Sequence, residues 1–124
     1  MSAWTPEGLE TIGAGAELEV APSRPDGTPG PSTTIWVVRI GDELYVRSYR
    51  GRNGRWFRHA IQQRQGRIRS GGIERDVTFE EPVDADRQAI DAAYRSKYAR
   101  YGATYVDAMV GESAAAATLR LVPR

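Results

Sequence analysis

A serine, an asparagine and two arginines near the centre of the chain are residue types that commonly bind anions. Ser48, Arg50, Asn53 and Arg55 fall within eight residues and are interleaved with two glycines. Guanidinium groups and a hydroxyl can hydrogen-bond phosphate or carboxylate oxygens from several directions, and glycine lets backbone N–H groups converge on the same point. The alternative is a solvated hairpin exit, in which the glycines serve a turn and the arginines stay in water. The stretch lacks the glycine–lysine–serine ending of a P-loop.

Aromatic residues surround this segment. Tyr49 follows the serine directly, Trp56 follows Arg55, and Tyr45 and Trp36 come before it. Rings beside arginines can stack on a flat heterocycle or on the bases of a single-stranded nucleic acid. We favour ordinary core positions for the two tryptophans, whereas Tyr49 is equally compatible with a site and with the core.

Two predicted β-hairpins position these residues. The predicted strands span residues 33–40, 43–49, 65–70 and 73–79. Each pair is joined by a two-residue turn that contains glycine. The first strand is almost continuously apolar, which predicts a central strand covered on both faces. Between the hairpins, the spacing of Trp56, Ala60 and Gln63 predicts a short amphipathic helix over residues 54–63.

The remainder of the chain supplies further helices and strands. We expect a helix over 2–13 with Thr5 as N-cap, a strand over 16–21, and a loop over 23–32 at the rim of the site. A long helix over 84–101 would begin at Asp84 and bury a stripe that ends at Tyr101. Residues 103–113 are predicted as a loop or a short turn and 114–122 as an edge strand. Together these elements predict a mainly β protein with flanking helices. Five or six antiparallel strands would close into a small barrel, and residues 1–124 would form one domain.

Composition excludes several classes of chemistry. The chain of 124 residues has no cysteine and a single histidine, His59. Thiolate metal sites, disulfides and a cysteine nucleophile are thereby excluded, and a serine–histidine–carboxylate triad is disfavoured. No apolar run approaches the roughly 18 residues that cross a bilayer. We therefore expect no metal site, no membrane partner and a cytoplasmic location.

Positive charge is concentrated in the centre of the chain. Ten arginines and three carboxylates lie between Arg39 and Arg75, against one arginine and five carboxylates in the first 38 residues. A GC-rich genome would explain the use of arginine, but it would not explain where the arginines fall. In the second hairpin, we expect Arg67 and Arg69 to pair across the strands with acidic neighbours. These neighbours are Glu74, Asp76, Glu80 and Glu81.

The run YVRSYRGRNGRWFRHAIQQRQGRIRSGG, preceded by IWVVRIGDEL, resembles the central segment of the flavin-binding split-barrel proteins. That superfamily contains the pyridoxamine phosphate oxidases and the deazaflavin-dependent oxidoreductases. Over nearly its full length the chain is also similar to a family of small bacterial proteins with a domain of unknown function in the same superfamily. The stretches WTPEGLETIG, GGIERDVTFE and IDAAYRSKYARYG carry that likeness.

The resemblance implies a split barrel that is usually a homodimer, with a ligand at the subunit interface. It implies that Ser48 and Arg55 contact a cofactor phosphate, with Arg47 and Arg50 alongside. Trp56 and Arg58 would border the site. The family cation is commonly lysine, whereas this chain has arginine.

These observations lead to one preferred function and two alternatives. The preferred function is binding of FMN or a deazaflavin, with oxidoreductase chemistry supplied by the cofactor and no catalytic side chain from the protein. The first alternative is a nucleic-acid-binding barrel without catalytic activity, although we do not favour a nucleic acid partner. The second is a cofactor-free dimer whose arginines pair with acidic residues.

Overall fold

Seven antiparallel strands form one sheet in the computed structural model, which describes residues 3–124. The strands are β1 Leu18–Pro22, β2 Thr33–Ile35, β3 Val37–Ile40, β4 Glu43–Arg47, β5 Gln65–Ser70, β6 Ile73–Glu80 and β7 Thr118–Pro123. The α-helices are α1 Pro6–Ala14, α2 Arg55–Gln63, α3 Arg87–Tyr98, α4 Ala103–Val110 and α5 Glu112–Ala115. Within the described residues, no helix has both the length and the apolar character required to cross a membrane.

The sheet curls into a nearly closed barrel. Its strand order is β2-β1-β5-β6-β7-β4-β3, so β2 and β3 are the two edge strands. Only Trp36 separates these strands along the chain, and the two edges therefore meet at that residue. The expectation of a small antiparallel barrel with flanking helices is confirmed, with one strand more than expected.

Alternating side chains on the strands build two apolar cores. Val37, Leu44 and Val46 point into the barrel, where they join residues of α1 and α2 such as Ile12 and Phe57. On the outer face of the same two strands, Val38 and Tyr45 pack under α3 and α4. β3 and β4 are therefore buried on both faces, which explains their near-continuous apolar sequence.

Two strand predictions are wrong in their placement. The apolar run 33–40 was expected to be one central strand, but it is divided at Trp36 into two edge strands. The segment 114–122 was expected at an edge, yet β7 lies between β6 and β4. An edge strand covered by helices has the same apolar sequence pattern as a central strand. The sequence pattern therefore did not distinguish edge strands from central ones.

The first helix follows the sequence prediction. Thr5 caps α1, since its side chain accepts a hydrogen bond of 3.0 Å from the N–H of Gly8. The predicted start of that helix at Ser2 lies outside the described residues.

The C-terminal helices differ from the prediction. α3 is capped by Asp86, which accepts from the N–H of Ala89, and Asp84 lies before the helix. Tyr101 was expected in the buried stripe but is 41% exposed. The predicted loop 103–113 instead contains α4 and α5. Val106 and Val110, one helical turn apart, are buried against α3 and supplied a helical signal that the prediction overlooked.

The hydroxyl of Tyr98 bridges the seam where the barrel edges meet. It accepts a hydrogen bond of 3.0 Å from the N–H of Val37 on β3, and lies 2.8 Å from the carbonyl oxygen of Ala16, just before β1. Burial raises the pKa of Tyr98 to about 12, so the hydroxyl keeps the proton that it donates. The ring also stacks on Trp36 at a centroid distance of 4.0 Å.

We expect Tyr98→Phe to lower the free energy of unfolding by about 1–3 kcal/mol, because the N–H of Val37 and the carbonyl of Ala16 lose a buried partner. Urea denaturation of the variant measures this change. Tyr101→Phe is the matched control, since its hydroxyl makes only an exposed contact with Arg100. Equal stability of the two variants would contradict a role for the Tyr98 hydroxyl in closing the seam.

Candidate functional site

A cavity of about 930 Å³ opens where β4 leaves the barrel and the chain turns into α2. Its wall contains all eight residues that the sequence indicated as cofactor-binding. These residues are Arg47, Ser48, Tyr49, Arg50, Asn53, Arg55, Trp56 and Arg58. The wall is completed by Glu17, Thr33, Thr34, Ile35, Trp36, Gly54, Tyr101, Tyr105 and Met109.

The turn between β4 and α2 is fixed by backbone hydrogen bonds. The N–H of Gly51 donates to the carbonyl of Ser48 at 2.9 Å, and the N–H of Gly54 donates to that of Gly51 at 3.1 Å. Ser48 is thereby held at the foot of α2, where it is 1% exposed and lines the cavity. A Cβ at Gly54 would overlap the Ser48 hydroxyl, so only glycine permits this approach.

The N-terminus of α2 faces the same cavity without a side-chain cap. Gly54 occupies the N-cap position and has no side chain to accept from the first N–H groups. Among residues 3–124, no side chain caps those groups, and the helix dipole adds partial positive charge at this end. Gly54, Arg55 and Trp56 all line the cavity. The combination of free N–H donors and the buried Ser48 hydroxyl is suited to an anion.

Three arginines on the cavity wall keep their charges available. Arg50, Arg55 and Arg58 are exposed, and among residues 3–124 none of them has a carboxylate oxygen within 4.0 Å. The neighbouring Arg52 behaves differently. It bonds the Glu81 carboxylate at 2.6 Å, a contact that lowers the pKa of Glu81.

Arg47 has a structural role instead. Its guanidinium is buried and donates to the Asp91 carboxylate at 2.6 Å, to the carbonyl of Met109 at 2.9 Å and to the hydroxyl of Thr118 at 3.0 Å. These contacts join β4 to α3, α4 and β7. Because these internal contacts hold the guanidinium, we do not assign Arg47 to a ligand, although part of the residue lines the cavity.

Aromatic side chains form much of the remaining wall. Tyr49, Tyr101 and Tyr105 are 55%, 41% and 56% exposed. Within the described chain, they are three of the four large hydrophobic residues that are exposed, and all three border the cavity. Trp36 and Trp56 combine core packing with a place on the wall. Tyr45, in contrast, is a core residue away from the cavity.

Other expectations from the sequence fall outside the site. The loop 23–32 was expected at its rim, but none of its residues lines the cavity. His59 is exposed on α2 and does not line the cavity. Residues 3–124 contain no group of three side chains suited to a metal ion. Sequence reasoning missed Glu17 and Thr34, because no local pattern shows that they line the same cavity as the start of α2.

The second hairpin carries the expected type of ion pair with partly different partners. Arg67 pairs with Asp76 at 3.0 Å as expected, but Arg69 pairs with Glu19 on β1 at 3.3 Å and not with Glu74. Glu80 pairs with Arg120. These pairs neutralise Arg67, Arg69 and Arg120, which lie on β5 and β7 and not on the cavity wall.

The fold is that of the flavin- and heme-binding split barrels. Heme storage protein HutZ from Vibrio cholerae superposes with a TM-score of 0.61 at 15% identity, over 100% of this chain and 92% of that one. An FAD-binding protein from Mesorhizobium loti gives 0.59 at 15% identity over 99% and 90%. An F420 reductase gives 0.52 at 18% identity over 97% and 94%. At these identities the likeness shows the fold alone.

The chain belongs to the family described as "Uncharacterized protein conserved in bacteria (DUF2255)", whose model matches residues 8–121. No curated protein matches it significantly. The resemblance read from the sequence to a small bacterial family of unknown function is confirmed, and the solved structures show the same fold.

We expect Arg47→Met to lower the free energy of unfolding by about 3–5 kcal/mol, since it leaves the largely buried Asp91 carboxylate without its shortest partner. Arg67→Met is the control, because the exposed pair of Arg67 with Asp76 should contribute about 1 kcal/mol or less. Chemical denaturation compares the two variants. A loss at Arg47 no larger than at Arg67 would exclude the structural role.

Proposed function

We propose that the cavity binds a flavin or a deazaflavin, with the phosphate of the ligand at the foot of α2. The observation that carries this proposal is the convergence on one cavity of Ser48, the N-terminus of α2 and three arginines that have no carboxylate partner in the described part of the chain. Each element supplies hydrogen-bond donors, and together they match a phosphate that carries negative charge.

The cavity suits the remainder of such a ligand. Its volume of about 930 Å³ falls within the range of roughly 300–1,000 Å³ that is usual for small-molecule sites. The side chains of Trp36, Tyr49 and Tyr101 add aromatic surface to the same wall. Aromatic rings pack favourably on a planar ring system.

In this proposal the protein binds and orients the cofactor, and the cofactor carries out hydride transfer. Ser48, Arg50, Arg55 and Arg58 would hold the phosphate, and the aromatic wall would exclude water from the ring. The names of the solved neighbours support ligands of this type, since they include an F420 reductase and an FAD-binding protein. Arginine keeps its charge at any working pH and can form two parallel bonds to a phosphate, so the arginines of this chain can anchor a phosphate where lysine is common in the superfamily that the chain resembles.

We expect Arg55→Ala to weaken binding of FMN or F420 about fivefold or more, because one charge-assisted contact contributes a kcal/mol or more. Fluorescence titration of both ligands against wild type and variant measures the effect. Arg67→Ala removes a cation of the same type far from the cavity, so it should bind like wild type. Identical binding by Arg55→Ala and wild type would remove the phosphate assignment.

The same titrations separate the alternatives. A nucleic-acid module would bind oligonucleotides with an affinity that falls steeply and linearly with salt on logarithmic axes. Protein that shows no flavin absorbance as purified and binds none of these ligands would favour the cofactor-free alternative.

We infer that the chain forms a homodimer through the face that carries the cavity. Tyr49, Tyr101 and Tyr105 leave an aromatic surface in water around the cavity mouth. Such a patch is unusual on a monomer and is typical of a contact surface.

We expect Tyr105→Glu to shift the protein towards monomer, because a charge in a packed interface is desolvated without a partner. Light scattering coupled to size exclusion reports the molar mass. Val83→Glu is the control, since Val83 is fully exposed and does not line the cavity. A mass unchanged by Tyr105→Glu, or changed equally by both variants, would exclude this face as the interface.

A further inference from the structure

The cavity lies where the ladder between β3 and β4 opens. The last pair of that ladder is Val37 with Val46, and two more steps in the same register would place Ile35 opposite Ser48. Instead, β2 pairs with β1 on its other side. All three residues of β2 line the cavity, and so do the residues that follow β4. The edge of β2 that does not pair with β1 therefore borders the cavity.

The hydrogen bonds of β1 show which residue of β2 points to this edge. In an antiparallel sheet, successive residues of an inner strand bond the neighbouring strands on opposite sides. The N–H of Ser23, just after β1, donates to the carbonyl of Gln65 on β5 at 2.9 Å. The carbonyl of Pro22 points the other way and accepts from the N–H of Gly30, on the side of β2, at 3.2 Å. Along β1, the even-numbered residues therefore bond β2 and the odd-numbered residues bond β5.

Thr34 is the residue of β2 whose backbone groups point away from β1. It lies opposite Glu19, an odd-numbered residue, so that the N–H and C=O of Thr34 face the unpaired edge. Within residues 3–124, no other strand pairs with β2, and the hydrogen bonds of loops and turns include neither group. Thr34 thus presents a donor and an acceptor side by side at the cavity.

We propose that the backbone of Thr34 binds the ring of the ligand and selects a planar heterocycle with a cyclic amide edge, in which a ring N–H adjoins a carbonyl. The N–H of Thr34 donates to the ring carbonyl, and the C=O of Thr34 accepts from the ring N–H. This inference rests on the proposed function, because flavins and deazaflavins share such an edge in their pyrimidinedione ring. A porphyrin has no ring N–H beside a carbonyl, so it would cover both groups of Thr34 without pairing them, which is costly.

The two sides of the cavity differ in hydrogen-bonding character, and this difference sets the direction of the ligand. The start of α2 and the arginines supply donors. Beside β2, the Glu17 carboxylate lines the cavity and can only accept. No cationic side chain of residues 3–124 lies within 4.0 Å of that carboxylate. A ligand with its phosphate at Ser48 and its ring N–H at β2 suits both sides, whereas the reverse direction would place the phosphate against Glu17.

Thr34→Pro tests the donor directly. Proline removes the N–H of residue 34 but no ladder bond, because that N–H points away from β1, and proline is tolerated on an edge strand in this orientation. Thr34→Ala is the matched control, since it also loses the side chain but keeps the N–H. In fluorescence titrations with FMN and with F420, we expect Thr34→Pro to bind about fivefold more weakly than Thr34→Ala. Circular dichroism checks that both variants are folded.

A second arm tests the acceptor with wild-type protein, so it does not depend on the folding of a variant. It compares FMN with 3-methyl-FMN, in which a methyl group replaces the ring N–H while the phosphate is unchanged. We expect the methylated ligand to bind about tenfold more weakly or worse, because the carbonyl of Thr34 loses its donor and is covered by a methyl group.

The outcomes separate the role of Thr34 from the function proposed for the cavity. Equal binding by Thr34→Pro and Thr34→Ala, together with equal binding of FMN and 3-methyl-FMN, would overturn the role of Thr34. The phosphate site would stand in that case, provided that Arg55→Ala still weakens binding. If wild-type protein bound neither FMN nor F420, the proposed function itself would fail, and the role of Thr34 with it.

Discussion

The structure depends on the junction at Trp36, where one residue carries the chain from one edge of the sheet to the other. Sheet edges expose unpaired N–H and C=O groups, which are costly when buried and invite aggregation when exposed. Here the hydroxyl of Tyr98 pairs with Val37 on one side and Ala16 on the other. A helix side chain thus provides the hydrogen bonds that a continuous ladder would have made. The stacked ring of Trp36 then becomes part of the cavity wall, so the same contact that closes the barrel also shapes the site.

Three environments give the central arginines three different roles. Arg47 is buried and satisfied on three sides, and it ties β4 to the helices that cover it. Arg52 and Arg67 lie at the surface beside carboxylates, where ion pairs contribute little to stability. Arg55, on the cavity wall, has no acidic partner among the residues described by the structure. Only in the third environment is the charge of the guanidinium available to a ligand. The residue type alone does not show which environment an arginine occupies.

The sequence predicted the local elements well because their causes are local. The Thr5 cap, the glycine turns and the helix that begins at Arg55 each depend on residues within a few positions. The cluster from Ser48 to Arg58 was found for the same reason, since β4, a tight turn and α2 necessarily place it together. The burial of Arg47 was not predicted, because its partner Asp91 is far away in sequence. The interior position of β7 also depends on which strands pair over long distances.

The distribution of cations between arginine and lysine has a physical consequence. A guanidinium keeps its proton in any of the environments of this fold, so arginines on the cavity wall present a charge that does not depend on pH. An ammonium in the same place would present a single point charge instead of a planar fork of donors. The single lysine lies instead at the seam, where burial lowers its pKa to about 8 and its neighbours are uncharged. The cavity wall therefore presents charges that do not depend on pH, whereas the one lysine lies where burial disfavours its charged form.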